Sequence, residues 1–414
     1  MAAMAVVQGV DLGRLNDVLR RLRSRVPFYA ARIGEGPLRS IEDFARLPFT
    51  TKDDFRSTYP FGLFAVPMEE VVRLHMSSGT TGKPVVVGYT AGDLSNWADA
   101  MAGILSAAGV NSSDVIQNAF PYGLFTGGMG YQLGAERLGV TVVPTGSGVT
   151  QRQVMLIEDL GVTVLACAPS YALVLAEAIA HEKVRTKLKL RVGFFGAEPW
   201  SDGMRHQIEY GLGLEPYDVY GLTELGGPGV AAECRQHDGL HVLEDHFYAE
   251  VIDPGTGAVL GDGREGELVI TSLTREATPV LRYRTRDRSL IVDAPCPCGN
   301  PARRIRKVSG RTDDLLLING GSLFPGQVEA ILLEVEGLTG NYQLVVDRQA
   351  KQLDTLQVLV EAADGADGDQ LGKSARDRIL DTIGLDCTVT VLGSGILPRF
   401  EDRASRVIDR RKPS

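Results

Sequence analysis

Ser77-Ser78-Gly79-Thr80-Thr81-Gly82-Lys83-Pro84 carries the most concentrated chemistry in the chain. Two glycines allow a tight backbone turn, so that several N–H groups can converge on phosphate oxygens. The neighbouring hydroxyls add donors, and Lys83 adds a positive charge. A Walker-type loop needs four residues between its glycines and Ser or Thr after the lysine. Here the spacing is shorter, and Pro84 follows the lysine without an N–H. The octapeptide therefore points to a nucleotide fold of another kind. Its plain alternative is a Ser/Thr/Gly turn between two strands.

Downstream of this loop, strand-like and helix-like segments alternate. Val162–Cys167 is a β-branched apolar run, and Pro169 stands at the first turn of a helix whose apolar residues Tyr171, Val174, Leu175, Ala178 and Ile179 recur at helical spacing. Leu188–Phe195 reads as a strand, Ser201 and Asp202 as caps of a helix over 203–210, and Tyr217–Tyr220 as a further strand. That alternation predicts an α/β domain with a mainly parallel sheet. From about Cys234 the pattern shortens: strands over 241–252, 266–271 and 289–292, separated by glycine turns, predict a β-rich subdomain. A fresh α/β segment follows Gly310, with strands over 315–318, 341–346 and 355–360 and helices over 325–336 and 370–383.

Length and charge bound the function. The 414 residues exceed one ordinary core and imply two or three domains. Lys and Arg number 43 against 52 Asp and Glu, for a net charge of -9, which offers no basic surplus to displace counterions from nucleic acid. No nucleic-acid or membrane partner is expected: no run is long enough to span a bilayer, and the first ten residues lack the regions of a signal peptide. A cytoplasmic location is expected.

The octapeptide resembles the phosphate loop of the AMP-forming adenylating superfamily, which includes acyl-CoA synthetases, luciferase and peptide-synthetase adenylation domains. Four further segments match that superfamily in its order: Gly196-Ala197-Glu198-Pro199-Trp200, Tyr220-Gly221-Leu222-Thr223-Glu224, Arg282–Asp287 and Gly310-Arg311-Thr312-Asp313. The resemblance is closer to the phenylacetate-CoA ligase branch, through Pro48–Lys52, Tyr59–Gly62, Gly134–Arg137 and Gly227–Gly229. It implies a large multi-subdomain α/β domain over 1–309, with the β-rich subdomain at about 234–309, and a small mobile α+β lid over 310–414.

The resemblance also assigns roles. Residues Ser77, Ser78, Gly79, Thr80, Thr81, Gly82 and Lys83 would hold the ATP phosphates, Gly196, Ala197, Glu198 and Pro199 the adenine, and Tyr220 with Gly221 would stack against it. Asp287 would grip the ribose, Arg311 would contact the nucleotide, and Asp313 would be the hinge. Thr223 would donate to the α-phosphate and Glu224 would ligate Mg²⁺ through oxygen. Tyr122, Gly123 and Phe125 form an aromatic and glycine segment expected to face an aryl substrate; their alternative is plain core packing. Close relatives suggest a homodimer.

Cys234, His241, Cys296 and Cys298 form a Cys-x6-His and Cys-x-Cys set. Three thiolates and one imidazole are a closed zinc set, with His237 the competing nitrogen and free cysteines the alternative. Cys167 and Cys387 read as buried core residues.

One departure keeps the reaction open. Where the family has Gly-Lys before an Arg-Val pair, this chain has Asp402-Arg403 ahead of Arg406-Val407. A guanidinium is a planar fork and does not replace a flexible ammonium atom for atom. Asn319 and Gln132 likewise replace the arginine and histidine of close relatives. Three readings follow. Arg403 does the lysine's work and the enzyme makes an aryl-CoA thioester; or the adenylate goes to a non-CoA acceptor, as in an ATP-dependent diazotase that activates nitrite for an aryl amine; or the chain binds ATP as a scaffold.

Overall fold

The computed structural model describes residues 11–77, 83–182, 187–312, 316–318, 321–348, 354–363, 365–398 and 406–411. Two compact units emerge. Met1–Ala168, Ala178–Ala197 and Gly213–Val308 form the first, and Pro169–Glu177, Glu198–Leu212 and Ser309–Ser414 the second.

In the first unit α1 (Leu12–Arg25) buries Leu15, Val18, Leu19 and Leu22, an i, i+3, i+4, i+7 stripe that gives one apolar face. Short helices α2 (Pro27–Ala30), α3 (Ile41–Ala45) and α4 (Lys52–Ser57) follow. An antiparallel pair, β1 (Arg73–Met76) and β2 (Val86–Tyr89), flanks the hydroxyl-rich loop. Helix α5 (Ala91–Ala107) starts at a Thr90/Asp93 capping box.

The central sheet is built from β3 (Val115–Asn118), α6 (Gly127–Leu138), β4 (Thr141–Val143), α7 (Thr150–Asp159), β5 (Val164–Cys167), α8 (Pro169–Glu182), β6 (Val192–Gly196), α9 (Asp202–Leu212) and β7 (Glu215–Leu222). Strands β4, β3, β5, β6 and β7 run parallel in that order. Strands β6 and β5 are buried throughout, as parallel strands covered on both faces must be. Antiparallel β8 (Gly227–Glu233), β9 (Leu240–Val242) and, later in the chain, β13 (Arg304–Ile305) extend the sheet beyond β7.

The expected strand over 241–252 is thus two elements. Its first part belongs to the large sheet, and only β10 (Phe247–Ile252) joins β11 (Gly266–Ser272) and β12 (Tyr283–Ser289) in a separate antiparallel sheet. The break follows from His246 and Phe247, whose amides both turn back to Leu243 O. The strand expected over 289–292 ends instead at Ser289, and the strand is the arginine-rich motif itself. There Tyr283, Thr285, Asp287 and Ser289 point inward and the arginines between them outward. At its start Arg282, 1% exposed, forms a two-pronged pair with Glu250, 2% exposed.

Helices α5 and α6 approach closely because glycines face the contact. A Cβ on Gly134 would stand 2.5 Å from Met101 Cβ, and one on Gly130 would stand 2.8 Å from the Trp97 ring.

The second unit adds β14 (Gly310–Arg311), β15 (Leu316–Ile318), β16 (Gly321–Leu323), α10 (Pro325–Leu333), β17 (Leu338–Arg348), β18 (Asp354–Ala362), α11 (Gly368–Ile383), β19 (Thr388–Leu392) and β20 (Val407–Asp409). Its sheet runs β19-β18-β17-β20, with β17 and β18 antiparallel and the outer strands parallel to their neighbours. Alternating Leu344, Val346, Val358 and Val360 meet Val328, Leu332 and Ile379 in a core of its own. No helix among the described residues is long and apolar enough to cross a membrane.

Candidate active site

Gly196, Ala197, Tyr220, Gly221, Thr223 and Glu224 lie at the carboxyl ends of β6 and β7, where open α/β sheets bind ligands. Gly196 pairs with Val219, which sets Ala197 beside Tyr220 and Gly221. A single turn, Thr223–Leu225, caps β7 and buries Thr223 and Glu224 at 7% and 6% exposure. Gly226 and Gly227 reverse the chain at φ 99° and 108°, in the left-handed region where a side chain is strained. The reversal is tight: a Cβ on Gly221 would lie 2.1 Å from Gly227 O.

Asp287 reaches this corner from the other sheet. The Tyr220 hydroxyl donates to Asp287 Oδ2 at 2.6 Å, and the Asp287 amide donates to Thr285 Oγ1. The aspartate is 5% exposed. This one bond joins residues 67 positions apart in the sequence.

Sequence reading assigned no role to Lys52. Thr50 bridges to β12, donating to Arg282 O and accepting from the Arg284 amide. Thr51 then caps α4 reciprocally with Asp54. Lys52, the first helical residue, is thereby held with Nζ 3.8 Å from Glu224 Oε1. The signal was the Thr-x-x-Asp capping pattern, which fixes the helix start but not what the lysine faces.

The phosphate loop is described only at its ends. The Val85 amide donates to Ser77 Oγ at 3.0 Å, and Lys83 Nζ lies 5.2 Å from the centroid of the Tyr59 ring. Ser78, Gly79, Thr80, Thr81 and Gly82 fall outside the described residues, as do Asp313 and Arg403. His75, just ahead of the loop, is 2% exposed; its Nδ1–H donates to Leu124 O, and burial lowers its pKa, so the ring is neutral at pH 7.

A cleft of about 310 Å³, counting its open mouth, adjoins these segments. Phe120, Phe125, Tyr131, Gly196, Val219 and Pro228 are among its walls. Of the expected pocket residues Phe125 is in the lining, whereas Tyr122 and Gly123 are not. The Tyr122 hydroxyl instead accepts from Asn118 Nδ2 at 2.8 Å, bracing the turn before α6. Tyr131 and Phe120 were not expected here, because their spacing reads equally well as core.

Glu198, Pro199 and Arg311 belong to the second unit. There the Ser170 amide, in the first turn of α8, donates to Glu198 Oε1 at 2.7 Å. Enclosure raises the Glu198 pKa, opposed by Arg406 and by the Ser170 hydrogen bonds.

The cysteine set converges in the first unit. The ligand atoms of Cys234, His241, Cys296 and Cys298 all lie within 4.8 Å of one another. Cys234 Sγ is 3.6 Å from Cys296 Sγ, and Cys298 Sγ is 3.4 Å from His241 Nε2. Zinc–sulfur bonds of about 2.3 Å in a tetrahedron require ligand separations of roughly 3.8 Å, so the donor set fits zinc. His241 Nδ1–H donates to Ala302 O, which aims Nε2 inward. His237 is turned to Glu233 and Glu215 at φ 50° and is not the fourth donor. Burial pushes the Cys234 thiol up to about 12, while the Asn300 amide holds Cys298 below the usual thiol value.

The sequence matches the AMP-binding enzyme family over residues 40–274 and the AMP-binding enzyme C-terminal domain over 320–411. The chain belongs to the AMP-binding enzyme family. Within it, phenylacetate-coenzyme A ligase of Pseudomonas putida is 44% identical over 428 residues, covering 100% of this chain and 96% of the relative. That of Escherichia coli K12 is 43% identical, covering 99% and 96%. Among solved structures, 2-hydroxyisobutyryl-CoA ligase in its postadenylation state superposes with a TM-score of 0.90 at 29% identity, covering 97% of this chain and 89% of that one. As an AMP-binding enzyme the chain has the adenylate-forming fold, a large N-terminal α/β portion followed by a smaller C-terminal domain. It is an AMP-forming ligase.

Proposed function

We propose that this ligase activates an aromatic carboxylic acid with ATP as an acyl-adenylate and transfers the acyl group to coenzyme A. The observation that carries the reading is the Tyr220–Asp287 bond at the tip of β7, beside buried Thr223 and Glu224 and an aromatic-walled cleft. Full-length similarity to two phenylacetate-CoA ligases supports the acid and the acceptor.

In this reading Asp287 accepts from the ribose hydroxyls and Tyr220 lies along the adenine, next to the backbone of Gly196 and Ala197. Ser77 and Lys83 flank the phosphates, and Thr223 donates to the α-phosphate as the acid's oxygen attacks and pyrophosphate leaves. Glu224 would hold Mg²⁺, which supplies charge neutralisation on the phosphate oxygens. Lys52, at the same carboxylate, holds Glu224 in place before the nucleotide arrives and adds positive charge toward the leaving pyrophosphate. Residues 310–414 take the lid role, with Asp313 as hinge and Arg311 and Arg403 as nucleotide contacts. Zinc at Cys234, His241, Cys296 and Cys298 is structural. The setting is cytoplasmic and the assembly a homodimer.

Pyrophosphate release measured across aryl acids, with and without CoA, tests the reading. Thioester formation that depends on an aryl acid and CoA supports it. AMP formation that needs nitrite and an aryl amine but no CoA overturns the acceptor, and ATP binding without turnover of any acid overturns the activity. Arg403→Ala is expected to slow adenylation at least about tenfold; an unchanged rate removes Arg403 from the chemistry.

A further inference from the structure

Strands β11 and β12 fall out of step just before Asp287. Val269 pairs with Arg284 and Glu267 with Arg288, so β11 advances two residues while β12 advances four. The surplus makes a bulge, a device by which a sheet re-aims a side chain. An even surplus keeps the alternation of faces, and Asp287 stays buried. Arg286, inside the bulge, has φ 67°, in the left-handed region that long side chains rarely adopt. Thr285 Oγ1 donates to Leu268 O at 2.7 Å and accepts from the Asp287 amide at 3.0 Å, closing the extra loop. A backbone of this kind persists only where its surroundings over-determine it.

Glu267 supplies that restraint. It is fully buried and has no part in the chemistry proposed above. Arg284 meets its carboxylate as a fork, Nε to Oε1 at 3.0 Å and Nη2 to Oε2 at 2.6 Å. The Arg286 amide donates to Oε1 at 3.3 Å, and Arg286 Nη1 stands 3.7 Å from Oε2. One carboxylate thus grips the residue at the start of the bulge and the strained residue inside it. The Glu250–Arg282 pair at the start of β12 joins side chain to side chain. Glu267 also takes a main-chain amide, so it acts on the path of the strand.

We propose that Glu267 is a positioning residue for ATP: it holds the bulge of β12 in the shape that presents Asp287 to the ribose hydroxyls. The inference rests on the ribose role given to Asp287 above. Glu267 sets the backbone, and the Tyr220 hydroxyl fixes Oδ2 at 2.6 Å, so the charge is aimed before the nucleotide arrives. Without the Glu267 carboxylate, Arg286 is free to leave positive φ, and Asp287 moves with it.

The test is calorimetric binding of ATP, 2′-deoxyATP and 3′-deoxyATP to the full chain with Mg²⁺, which requires no choice of acid. Wild type should bind ATP about tenfold or more tighter than either deoxynucleotide, the worth of a charge-assisted hydrogen bond. Asp287→Asn is the reference and should lose most of that preference. Glu267→Gln should shrink it to about threefold or less, with the deoxynucleotides bound nearly as before, because only the hydroxyl contacts are lost. Arg284→Lys keeps the charge but not the fork, and should shift the preference the same way if the glutamine variant does not fold. A role confined to stability would instead weaken all three nucleotides in parallel. That parallel loss, or a wild-type preference kept in folded Glu267→Gln or Arg284→Lys while Asp287→Asn loses it, overturns the positioning role and leaves the ribose reading intact. Asp287→Asn with the full wild-type preference, or wild type with none, overturns both.

Discussion

At the residue scale, Lys52 and Asp287 make separable contributions. Lys52 is 45% exposed and its pair with Glu224 at 3.8 Å is loose, so it adds less than about 1 kcal/mol to stability. Its effect should appear in turnover instead. Lys52→Met is expected to lower the adenylation rate by about tenfold with little change in thermal midpoint, read by pyrophosphate exchange and by a melt; an unchanged rate would assign the lysine to the surface. Asp287 differs because it is buried and already accepts from Tyr220. Asp287→Asn keeps the shape but loses the charge that strengthens hydrogen bonds from two hydroxyls. The KM for ATP should rise by about 10-fold to 100-fold, from the roughly 1.5–3 kcal/mol of a charge-assisted hydrogen bond. Equal ATP affinity in the variant would take Asp287 out of the ribose site.

At the element scale, Asp114 ties the amino-terminal edge of the parallel sheet. Its carboxylate accepts from Arg191 Nε at 3.0 Å ahead of β6, from Thr163 Oγ1 at 2.7 Å ahead of β5 and from the Asn111 amide at 2.9 Å. Burial opposes the charge, but these donors win and the pKa lies below the ordinary aspartate value. A lowered folded pKa means that the stabilisation is present above the unfolded pKa and is lost as pH falls through the folded one. Asp114→Asn should cost about 1–3 kcal/mol near neutral pH, and its urea midpoint should converge with that of wild type as pH drops below 4. A constant gap down to pH 2 would mean that the carboxylate charge does not hold the edge. None of this tie was legible in the sequence, for a physical reason. Periodicity reveals which face of an element is apolar, as it did for α8, and caps reveal where helices begin, as at Ser201. It does not reveal which polar groups from distant segments meet. Asp114 with Arg191, Lys52 with Glu224 and Tyr220 with Asp287 are all long-range pairs. The ordered motifs named Glu224 and Asp287 because each motif is local. Tyr131 was hidden because a ring lining a slot and a ring filling a core have the same spacing.

At the scale of the whole molecule, the two units have separate hydrophobic cores, so unfolding need not be a single transition. The cysteine set lies wholly in the first unit. Cys234 follows β8, His241 sits in β9, and Cys296 and Cys298 occupy the turn before β13, which pairs with β9. Zinc there would clamp three segments at the far edge of the large sheet, where short strands have the fewest neighbours to hold them. The native protein is expected to carry about one zinc per chain, measured by mass spectrometry or a colorimetric chelator. Removing it should lower the first unit's unfolding midpoint and raise amide exchange over 227–242 and 294–306. Exchange in β17 and β18 should stay as it was, because those strands share no core with the site. Cys296→Ser should reproduce the pattern without a chelator. Metal-free native protein with full protection of β9 would show that hydrogen bonding and burial alone hold this edge; loss of protection across both units together would show that the molecule unfolds as one body.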